Sequence, residues 1–301
     1  MGVCILKVLV VGTVSNVGQV IKKEVRRVLK AVEPHAQVQF YLVESDSSDS
    51  TVQELTRIGD EDQRVSFTSL GNLKRDLSDR IERIRFCRNI YVQYIRAMHQ
   101  ENSWDIIVVA DLDGMNRKLS SLGIGSCLSS GLNWSACFAN QRNGYYDLYA
   151  LRCKDWVSED VFATYQYLKV SNPFVPSSRN PYFRWLQEFR HFDQLRKNAI
   201  YRKMRKVSPT ENWIAVDSAF GGLGIYRPEV FLRFNYDSQN LSPTVYCEHI
   251  DLHYQCRQEN FSLYINPALI NSNWNEYNLN RLVLVRFLKE LKKFLLRKIS
   301  E

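Results

Sequence analysis

Residues 104–114 read WDIIVVADLDG, and this stretch predicts both the fold and the site. Residues 106–110 form an unbroken apolar run rich in β-branched side chains, which is typical of a strand buried on both faces. Asp111 and Asp113 follow directly, and Gly114 lets the chain turn. Ligands of open α/β sheets bind at the carboxyl ends of the strands. Two carboxylates there repel each other unless a cation lies between them, and Mn²⁺ or Mg²⁺ carrying a diphosphate is the simplest such cation.

The composition is that of a globular protein. A chain of 301 residues can bury a full core, either as one large domain or as one domain with a big insertion. The seven cysteines are scattered and form no CxxC pair, which predicts reduced thiols in a cytoplasmic protein. The apolar start of the chain is short and is interrupted by Lys7, so it predicts a first strand and not a signal peptide. No apolar run is long enough to span a membrane.

The net charge of +8 is concentrated in two segments. Residues 281–298 contain seven basic residues and one acidic residue, Glu290, which gives 7 − 1 = +6. A second basic run covers residues 184–206. Since the rest of the chain is near neutral, no nucleic acid is expected as a partner. A basic module that binds nucleic acid through these two segments remains the non-enzymatic alternative.

The first 50 residues predict a β-α-β unit. Residues 5–11 form an apolar strand followed by a polar turn, residues 17–32 have helical spacing, and residues 38–43 form a second strand that ends at Glu44. This order predicts neighbouring parallel strands with a right-handed crossover. Glu44 is either a solvated loop residue or an acceptor of hydrogen bonds from a ribose. The turn lacks GxGxxG, so a nicotinamide or flavin cofactor is not supported.

Arginines recur on the next predicted helix, residues 76–99. Arg80, Arg83 and Arg88 are spaced so that they share one side of the helix, where they could meet a pyrophosphate. The alternative is a solvated basic face paired with neighbouring acidic residues.

Two more strands, residues 134–140 and 145–152, are predicted beyond the aspartates. Asp147 in the second of them must be paired or metal-bound, because a lone buried carboxylate is unfavourable. A salt bridge with Arg152 or another arginine is favoured over a place on the floor of the site. Residues 172–212 contain four prolines and a basic aromatic helix, and they predict an insertion that forms a flap or an acceptor-side wall.

The second half of the chain carries two further motifs. Gly221 and Gly222 lie in a glycine-rich segment that lacks the lysine and serine of a P-loop, so they are expected to let the backbone approach a sugar ring. The sequence CEHIDLH then places His249 and His253 on one helical face, a spacing that suits metal binding. Glu248 falls in the first turn, where the helix dipole favours an anion. A single buried histidine is usually a satisfied core residue, and the pair beside Glu248 favours function.

The chain resembles GT-A fold nucleotide-sugar glycosyltransferases in the order of its features. These are the polar strand ends, the arginine-bearing helix, DLD, FGGLGIYR and CEHIDLH. They are especially similar to a group, common in large DNA viruses and bacteria, whose last motif reads CEHxx[LF]H. The resemblance covers residues 3–270, apart from the insertion. It implies an α/β, Rossmann-like fold with a mostly parallel central sheet flanked by helices. The implied units are a catalytic domain (1–280) with a nucleotide-sugar half (1–115) and an acceptor half (116–280), and a basic amphipathic C-terminal helix (281–301).

The resemblance also implies roles for individual residues. Asp111 and Asp113 would hold Mn²⁺ or Mg²⁺ on the diphosphate of a UDP- or GDP-sugar, and His253 or His249 would complete the metal site. Glu248 would deprotonate the hydroxyl of a glycan, glycoprotein or lipid-linked acceptor, with inversion at the sugar. The family's usual Glu-Asp pair is Glu-His here, so His249 or Asp217 could replace Glu248 as the base. The other donor-binding residues would be Val11, Gly12, Thr13, Glu44, Gly71, Arg83, Leu112, Gly221 and Gly222.

Two alternatives stay open. A nucleotidyltransferase acting on a sugar phosphate would also use paired carboxylates on a metal, but it would need a third acidic ligand and a triphosphate-binding loop. Residues 281–299 combine apolar spacing with a basic opposite face. They form either a helix docked on the catalytic domain with solvated lysines, or a peripheral contact with an anionic membrane.

Overall fold

A central eight-stranded sheet organises the chain. The structure is a computed structural model that describes residues 5–237 and 247–300, so Cys4 and Glu301 lie outside the described residues. The strands are β1 (Leu6–Val14), β2 (Ala36–Glu44), β3 (Val65–Ser69), β4 (Ile106–Ala110), β5 (Ala136–Gln141), β6 (Ile214–Ala215), β7 (Leu223–Tyr226) and β8 (Leu263–Ser272). Their spatial order is β3-β2-β1-β4-β7-β5-β8-β6, and among these strands β7 and β6 run antiparallel to their neighbours. The predicted mostly parallel α/β sheet is confirmed.

Helices cover both faces of this sheet. They are α1 (Ile21–Val32), α2 (Thr51–Glu61), α3 (Arg80–Asn102), α4 (Ser121–Leu128), α5 (Val161–Ser171), α6 (Pro181–Ala199), α7 (Glu229–Arg233), α8 (Glu248–Gln258), α9 (Glu276–Leu279) and α10 (Val283–Ser300). Val8 and Val10 of β1 pack with α1 and α2, whereas Leu9 and Val11 pack with α3 on the other face. Apolar residues are therefore needed at every position, which explains the unbroken apolar runs of β1 and β4. Among the described helices, none has both the length and the apolarity needed to cross a bilayer.

The pairing of the strands brings distant loops to one edge. Val14 at the end of β1 is paired with Glu44 at the end of β2, and Val11 is paired with Val109 of β4. A Cβ atom on Gly12 would clash with the carbonyl oxygen of Ala110, so this close approach of β1 to β4 requires glycine. The carboxyl ends of β1, β2 and β4 therefore open on the same side.

The antiparallel strand β7 brings the glycine-rich segment to the same edge. It pairs with β4 so that Leu223 lies opposite Ala110. The carbonyl oxygen of Gly222 then accepts a hydrogen bond from the backbone N–H of Asp111, at 2.9 Å. Two motifs more than a hundred residues apart in sequence thus meet through one backbone contact.

Two predicted elements differ in the structure. Residues 145–152 were predicted as a strand, but they form turns with an isolated bridge from Arg152 to Ser218, so that prediction is wrong. The predicted helix 76–99 begins four residues later, at Arg80, because the Asp79 side chain accepts a hydrogen bond from the N–H of Glu82 and caps the helix. The insertion predicted at 172–212 contains α6, which packs against α5 and α10.

Candidate active site

A cavity of about 590 Å³ lies at the carboxyl edge of the sheet. This volume is within the usual range for small-molecule sites. Its walls come from the ends of β1, β2 and β4, one face of α3, residues 146–150, Phe220, the start of α8 and Tyr277. The predicted meeting of the strand ends is therefore what forms the cavity.

Asp111 and Asp113 both line this cavity at the end of β4. About a third of the Asp111 side-chain surface is exposed (34%). Burial nevertheless raises the pKa of Asp111 to about 8, against the opposing effect of Arg88, and the negative charges of Asp113 and Asp147 add to the rise. A carboxyl group in these surroundings ionises readily only when a positive charge is brought to it.

The turn that carries the aspartates is held from behind by Asn116, which is fully buried. Its side-chain amide donates to the carbonyl oxygen of Asp111 at 2.6 Å and to the carboxylate of Glu24 at 3.1 Å. Glu24, on α1, also accepts the backbone N–H of Asn116 at 3.1 Å. This support is not predictable from the sequence, because Glu24 is 92 residues away in the chain.

Arg88 is a cation buried in the wall of the cavity, with 5% of its surface exposed. Its Nε donates to Oε1 of Glu248 at 2.8 Å, and its Nη2 lies 3.8 Å from Oδ1 of Asp111. The guanidinium also lies over the rings of Phe220 and Tyr236, at 5.4 and 5.5 Å. Arg88 therefore links Asp111 to Glu248, the first residue of α8.

The other two arginines of α3 share this face. Arg80 and Arg83 line the cavity together with Arg88, as the helical spacing predicted. Nη1 of Arg83 donates to the carbonyl oxygens of Leu77 and Ser78, both at 2.7 Å, and its Nε lies 3.3 Å from Asp46. The alternative of a solvated basic face is therefore wrong for Arg83 and Arg88, whereas Arg80 is exposed.

Glu248 and His249 enter the cavity from the first turn of α8. Glu248 is 5% exposed and is the partner of Arg88. His249 is 3% exposed, and its ring is stacked on Phe220 with a centroid distance of 3.9 Å. Neither ring nitrogen of His249 has a hydrogen-bond partner among the described residues. Burial, and then Arg88 and His253, hold the pKa of His249 far below its usual value, so the imidazole is neutral, as a metal ligand must be.

His253 has a different environment from His249, although the two share a helical face. Its Nδ1 is 2.9 Å from the Ser218 hydroxyl and its Nε2 is 3.0 Å from the Tyr226 hydroxyl. The ring is fully buried and does not line the cavity. His253 is thus a satisfied core histidine that is not positioned to bind a metal, and His249 is the histidine placed in the site.

Asp217, an alternative for the base, also lies away from the cavity. Its side chain is 59% exposed and lies 3.3 Å from Nε of Arg257. Asp217 is not among the residues that line the cavity. An exposed surface ion pair cannot take a proton from a substrate bound at the edge of the sheet.

Near the ends of β1 and β2, the residues that line the cavity differ from those predicted to contact the nucleoside. Thr13 lines the cavity, but Val11 and Gly12 lie inside β1, are buried, and do not. The carboxylate of Glu44 is buried and accepts from the N–H of Ser47, at 3.0 Å, and from the Ser69 hydroxyl. Glu44 therefore holds its own loop together and is not available to a ribose.

Asp46, two residues beyond Glu44, lines the cavity instead. Its backbone is left-handed (φ 59°), which turns the loop. Its carboxylate accepts from the N–H of Lys74 at 2.8 Å and lies 3.3 Å from Arg83. The carbonyl of the exposed Gly71 accepts the N–H of Asp46 at 2.8 Å, so Gly71 supports the wall without being part of it.

The glycine pair lies beneath the cavity. Gly221 and Gly222 have positive φ (70° and 82°) and are buried. A Cβ on Gly221 would lie 2.6 Å from the carbonyl oxygen of Ala139. Phe220 lines the cavity, whereas the two glycines do not, so they shape the floor from below. Leu112, by contrast, is buried and does line the cavity.

Asp147 is part of the cavity wall. It accepts hydrogen bonds from the N–H groups of Gly221 and Ala150, at 2.9 and 3.3 Å, and burial raises its pKa. Arg152 pairs with Asp160 at 3.4 Å instead, so the favoured salt bridge with Asp147 is wrong. Asp147 lines the cavity, which is consistent with the alternative of a place in the site.

An aromatic wall completes the cavity and was not predicted. The rings of Tyr146 and Tyr277 are stacked at 5.1 Å, and Tyr149 and Phe162 meet edge to face at 5.5 Å. All four line the cavity. Tyr146 and Tyr149 belong to the aromatic segment 145–152, but the sequence does not indicate that Phe162 and Tyr277 lie beside them.

The donor set fits a divalent ion that arrives with its substrate. Within residues 5–237 and 247–300, no group of three or more acidic, histidine or cysteine side chains is arranged to hold a metal ion. Mg²⁺-type ions are usually bound by one or two carboxylates together with substrate phosphates. Asp111, Asp113 and the unpartnered His249 line one cavity and supply such a partial set.

Comparisons with known proteins give distant likenesses of the whole chain. No protein-family model matches the sequence, and no curated protein matches it. Similar solved structures include a mannosyltransferase from Pyrobaculum calidifontis in complex with GDP-Man and Mn²⁺, which is 13% identical over 96% of this chain and 64% of that chain, with a TM-score of 0.47. They also include a glucosyl-3-phosphoglycerate synthase from Mycobacterium tuberculosis in complex with UDP (14%, 89% and 69%, TM-score 0.37). A third is S. aureus TarS (12%, 86% and 35%, TM-score 0.42). The chain thus spans just under two thirds of the mannosyltransferase chain.

Proposed function

We propose that this protein is a metal-dependent glycosyltransferase that moves a sugar from a nucleoside-diphosphate sugar to a hydroxyl acceptor. The observation that carries the proposal is that one cavity at the edge of the sheet collects Asp111, Asp113, Glu248 and His249. Paired carboxylates, a neutral histidine and a further buried carboxylate are the groups needed to hold a cationic diphosphate complex and to accept a proton.

The metal site in this proposal consists of Asp111, Asp113 and His249, which replaces His253 because both ring nitrogens of His253 are already hydrogen-bonded. These residues would hold Mn²⁺ or Mg²⁺. When bound, the ion would neutralise the charge that develops on the leaving diphosphate.

The donor in this proposal is a UDP- or GDP-sugar lying along β1, β2 and α3. Thr13 and Asp46 line the part of the cavity formed by β1 and β2, and they are the proposed nucleoside contacts. Arg80 and Arg83 bring positive charge toward the phosphates. The backbone conformations at Gly12, Gly71, Gly221 and Gly222 would shape the cavity that receives the donor.

Glu248 is the proposed base. It would take the proton of the acceptor hydroxyl as that oxygen attacks the anomeric carbon and the bond to the diphosphate breaks. A positioned base of this kind contributes roughly 10²–10⁴-fold to the rate. Direct attack in one step inverts the configuration of the sugar. The acceptor would be a glycan, a glycoprotein or a lipid-linked hydroxyl, facing the aromatic wall.

Replacing Asp113 with alanine tests the proposal. Asp113→Ala should abolish Mn²⁺-dependent donor hydrolysis and sugar transfer, and the melting temperature should be retained. Asp217→Ala is the matched control, because this exposed aspartate lies outside the cavity and should leave activity unchanged. Full activity of Asp113→Ala would rule out the proposal.

A nucleotidyltransferase acting on a sugar phosphate is the second candidate. It is favoured by one observation, the presence of a third carboxylate, Asp147, in the same cavity. Both oxygens of Asp147 already accept backbone hydrogen bonds, which favours the first candidate. Thermal-shift measurements with Mn²⁺ separate the two. Stabilisation by UDP or GDP supports the transferase, and stabilisation by nucleoside triphosphates alone supports the alternative.

The proposal places the protein in the cytoplasm, where buried free thiols such as Cys127 and Cys137 stay reduced. It also includes a peripheral membrane contact through residues 281–299, for which the packing of α10 gives the physical basis.

A further inference from the structure

Helix α10 is fixed to the insertion helix α6 by one of its faces. Trp185 of α6 packs on Phe294 at 5.1 Å, and Phe189 packs on Phe287 at 5.4 Å, so the two helices run antiparallel. At one end of this seam the buried Arg286 pairs with Asp193, with Nη2 2.8 Å from Oδ2. The inner face of α10 is therefore already occupied, and its orientation on the protein is set.

The outer face of α10 carries a stripe of leucines. Leu284, Leu288, Leu291 and Leu295 follow the spacing i, i+4, i+7, i+11, which places them along one side of a helix. Leu284, Leu288 and Leu295 are 64%, 54% and 45% exposed. A regular apolar stripe left this exposed marks a surface for a partner or a membrane.

Lysines accompany this leucine stripe. Lys292 lies about 80° around the helix from Leu284, and Lys289 about 140°, at 100° per residue. Both lysines are exposed, and so is Lys293. The neighbouring end of α6 adds two exposed aromatic rings, Tyr182 (61%) and Phe183 (63%), and Tyr182 contacts Phe294 of α10. Leucines flanked by lysines and aromatic rings are typical of helices that lie in the membrane interface.

We propose that the leucine stripe of α10, with Tyr182 and Phe183 of α6, lies in the interface of an anionic lipid bilayer. Charge selects this occupant over a second copy of the chain. Two copies joined through the stripe would bring Lys292 of each copy to the edge of the contact, and like charges at an interface are unfavourable. At a membrane the same lysine meets negative headgroups. The inference deepens the proposed function, because it specifies a two-helix surface and the lipid charge that this surface requires.

Vesicle co-sedimentation tests the inference on the full chain. The protein should bind phosphatidylglycerol-containing vesicles more tightly than phosphatidylcholine vesicles, and added salt should weaken the binding. Leu284→Glu/Leu288→Glu/Leu295→Glu should lower the vesicle partition coefficient by at least about tenfold. The matched control is Leu122→Glu/Leu132→Glu, which changes exposed leucines on and after α4 and should leave binding unchanged. Lys292→Glu should weaken binding to the anionic vesicles alone.

The same variants separate this inference from the proposed chemistry. The triple leucine variant should keep its melting temperature and its Mn²⁺-dependent donor turnover, while Asp113→Ala should lose turnover and keep vesicle binding. Three results would overturn the inference. The first is that the unmodified protein does not bind anionic vesicles. The second is that the folded triple variant binds them as tightly as the unmodified protein. The third is that the unmodified protein forms dimers without binding vesicles, and that the triple substitution makes it monomeric.

Discussion

The guanidinium of Arg88 donates to the carboxylate of Glu248 at 2.8 Å, and both side chains are about 95% buried in the wall of the cavity. The same guanidinium lies 3.8 Å from Asp111. One arginine thus serves two carboxylates with different proposed roles, the base and a metal ligand. Its fork geometry makes this possible, since a single arginine presents several donors in one plane.

Removing Arg88 should damage both stability and activity. Arg88→Met leaves Glu248 buried without its partner, so the free energy of unfolding should fall by about 3 kcal/mol. Donor turnover should fall by about 10²-fold or more as the proposed base loses its position. Arg88→Lys keeps the positive charge but lacks the planar guanidinium. Its unfolding free energy and its donor turnover should lie between those of the unmodified protein and those of Arg88→Met. Urea unfolding and donor hydrolysis measure these effects, with the half-exposed Arg257→Met as control.

Replacing each of the two histidines of α8 with phenylalanine should change the stability of the protein in opposite directions. His249→Phe keeps the stacking on Phe220 and removes two buried nitrogens without partners, so the metal-free protein should become more stable by about 1–3 kcal/mol. The same variant should lose its thermal stabilisation by Mn²⁺ with UDP or GDP. His253→Phe leaves Ser218 and Tyr226 without their partner and should be less stable, with the Mn²⁺ response retained. If His253→Phe lost the Mn²⁺ response and His249→Phe kept it, His253 would be the metal ligand.

Stability should depend on pH through Asp111. The pKa of this carboxyl is raised from 3.8 to about 8 in the folded protein, chiefly by burial. The folded state therefore holds this proton more tightly than the unfolded chain does. Its contribution to stability is complete below pH 3.8 and is lost as the pH rises to about 8. Asp111→Asn should accordingly raise the melting temperature of the metal-free protein more at pH 8 than at pH 5. An equal rise at both pH values would contradict the pKa shift.

The glycine beneath the cavity should not tolerate even one added carbon. Gly221 has a left-handed backbone, and a Cβ there would lie 2.6 Å from the Ala139 carbonyl. Gly221→Ala should reduce the free energy of unfolding by about 2 kcal/mol or more and should reduce donor binding. Gly131→Ala is the matched control, because a Cβ at Gly131 meets nothing within 4 Å. Equal melting temperatures of the two variants would show that the floor can adjust.

The edge of the sheet was predictable because buried strands have a distinctive composition. The run from Ile106 to Ala110 has to be apolar at every position, and the aspartates that follow it are placed by the strand itself. The arginine face of α3 was predictable for a similar reason, since helical spacing alone aligns Arg80, Arg83 and Arg88.

The choice between similar neighbours was not predictable. His249 and His253 share a helical face, and what distinguishes them is Ser218 and Tyr226, which lie 35 and 27 residues away from His253 in the chain. The loop after β2 presents Asp46 and not Glu44 because of a left-handed turn at one residue. Residues 145–152 satisfy an aromatic strand pattern, yet Asp147 is drawn toward the N–H groups of Gly221 and Ala150. Each of these outcomes depends on partners that are distant in sequence or on one dihedral angle.

The walls of the cavity come from segments scattered between Thr13 and Tyr277, with no stretch of the chain supplying more than a small share. The turn that carries the aspartates is held by hydrogen bonds to Glu24, which precedes it in sequence, and to Gly222, which follows it by more than a hundred residues. A fragment ending anywhere before α9 would consequently lack part of the enclosure, however well its own strands paired. The cavity is therefore complete only when segments from both halves of the chain have come together.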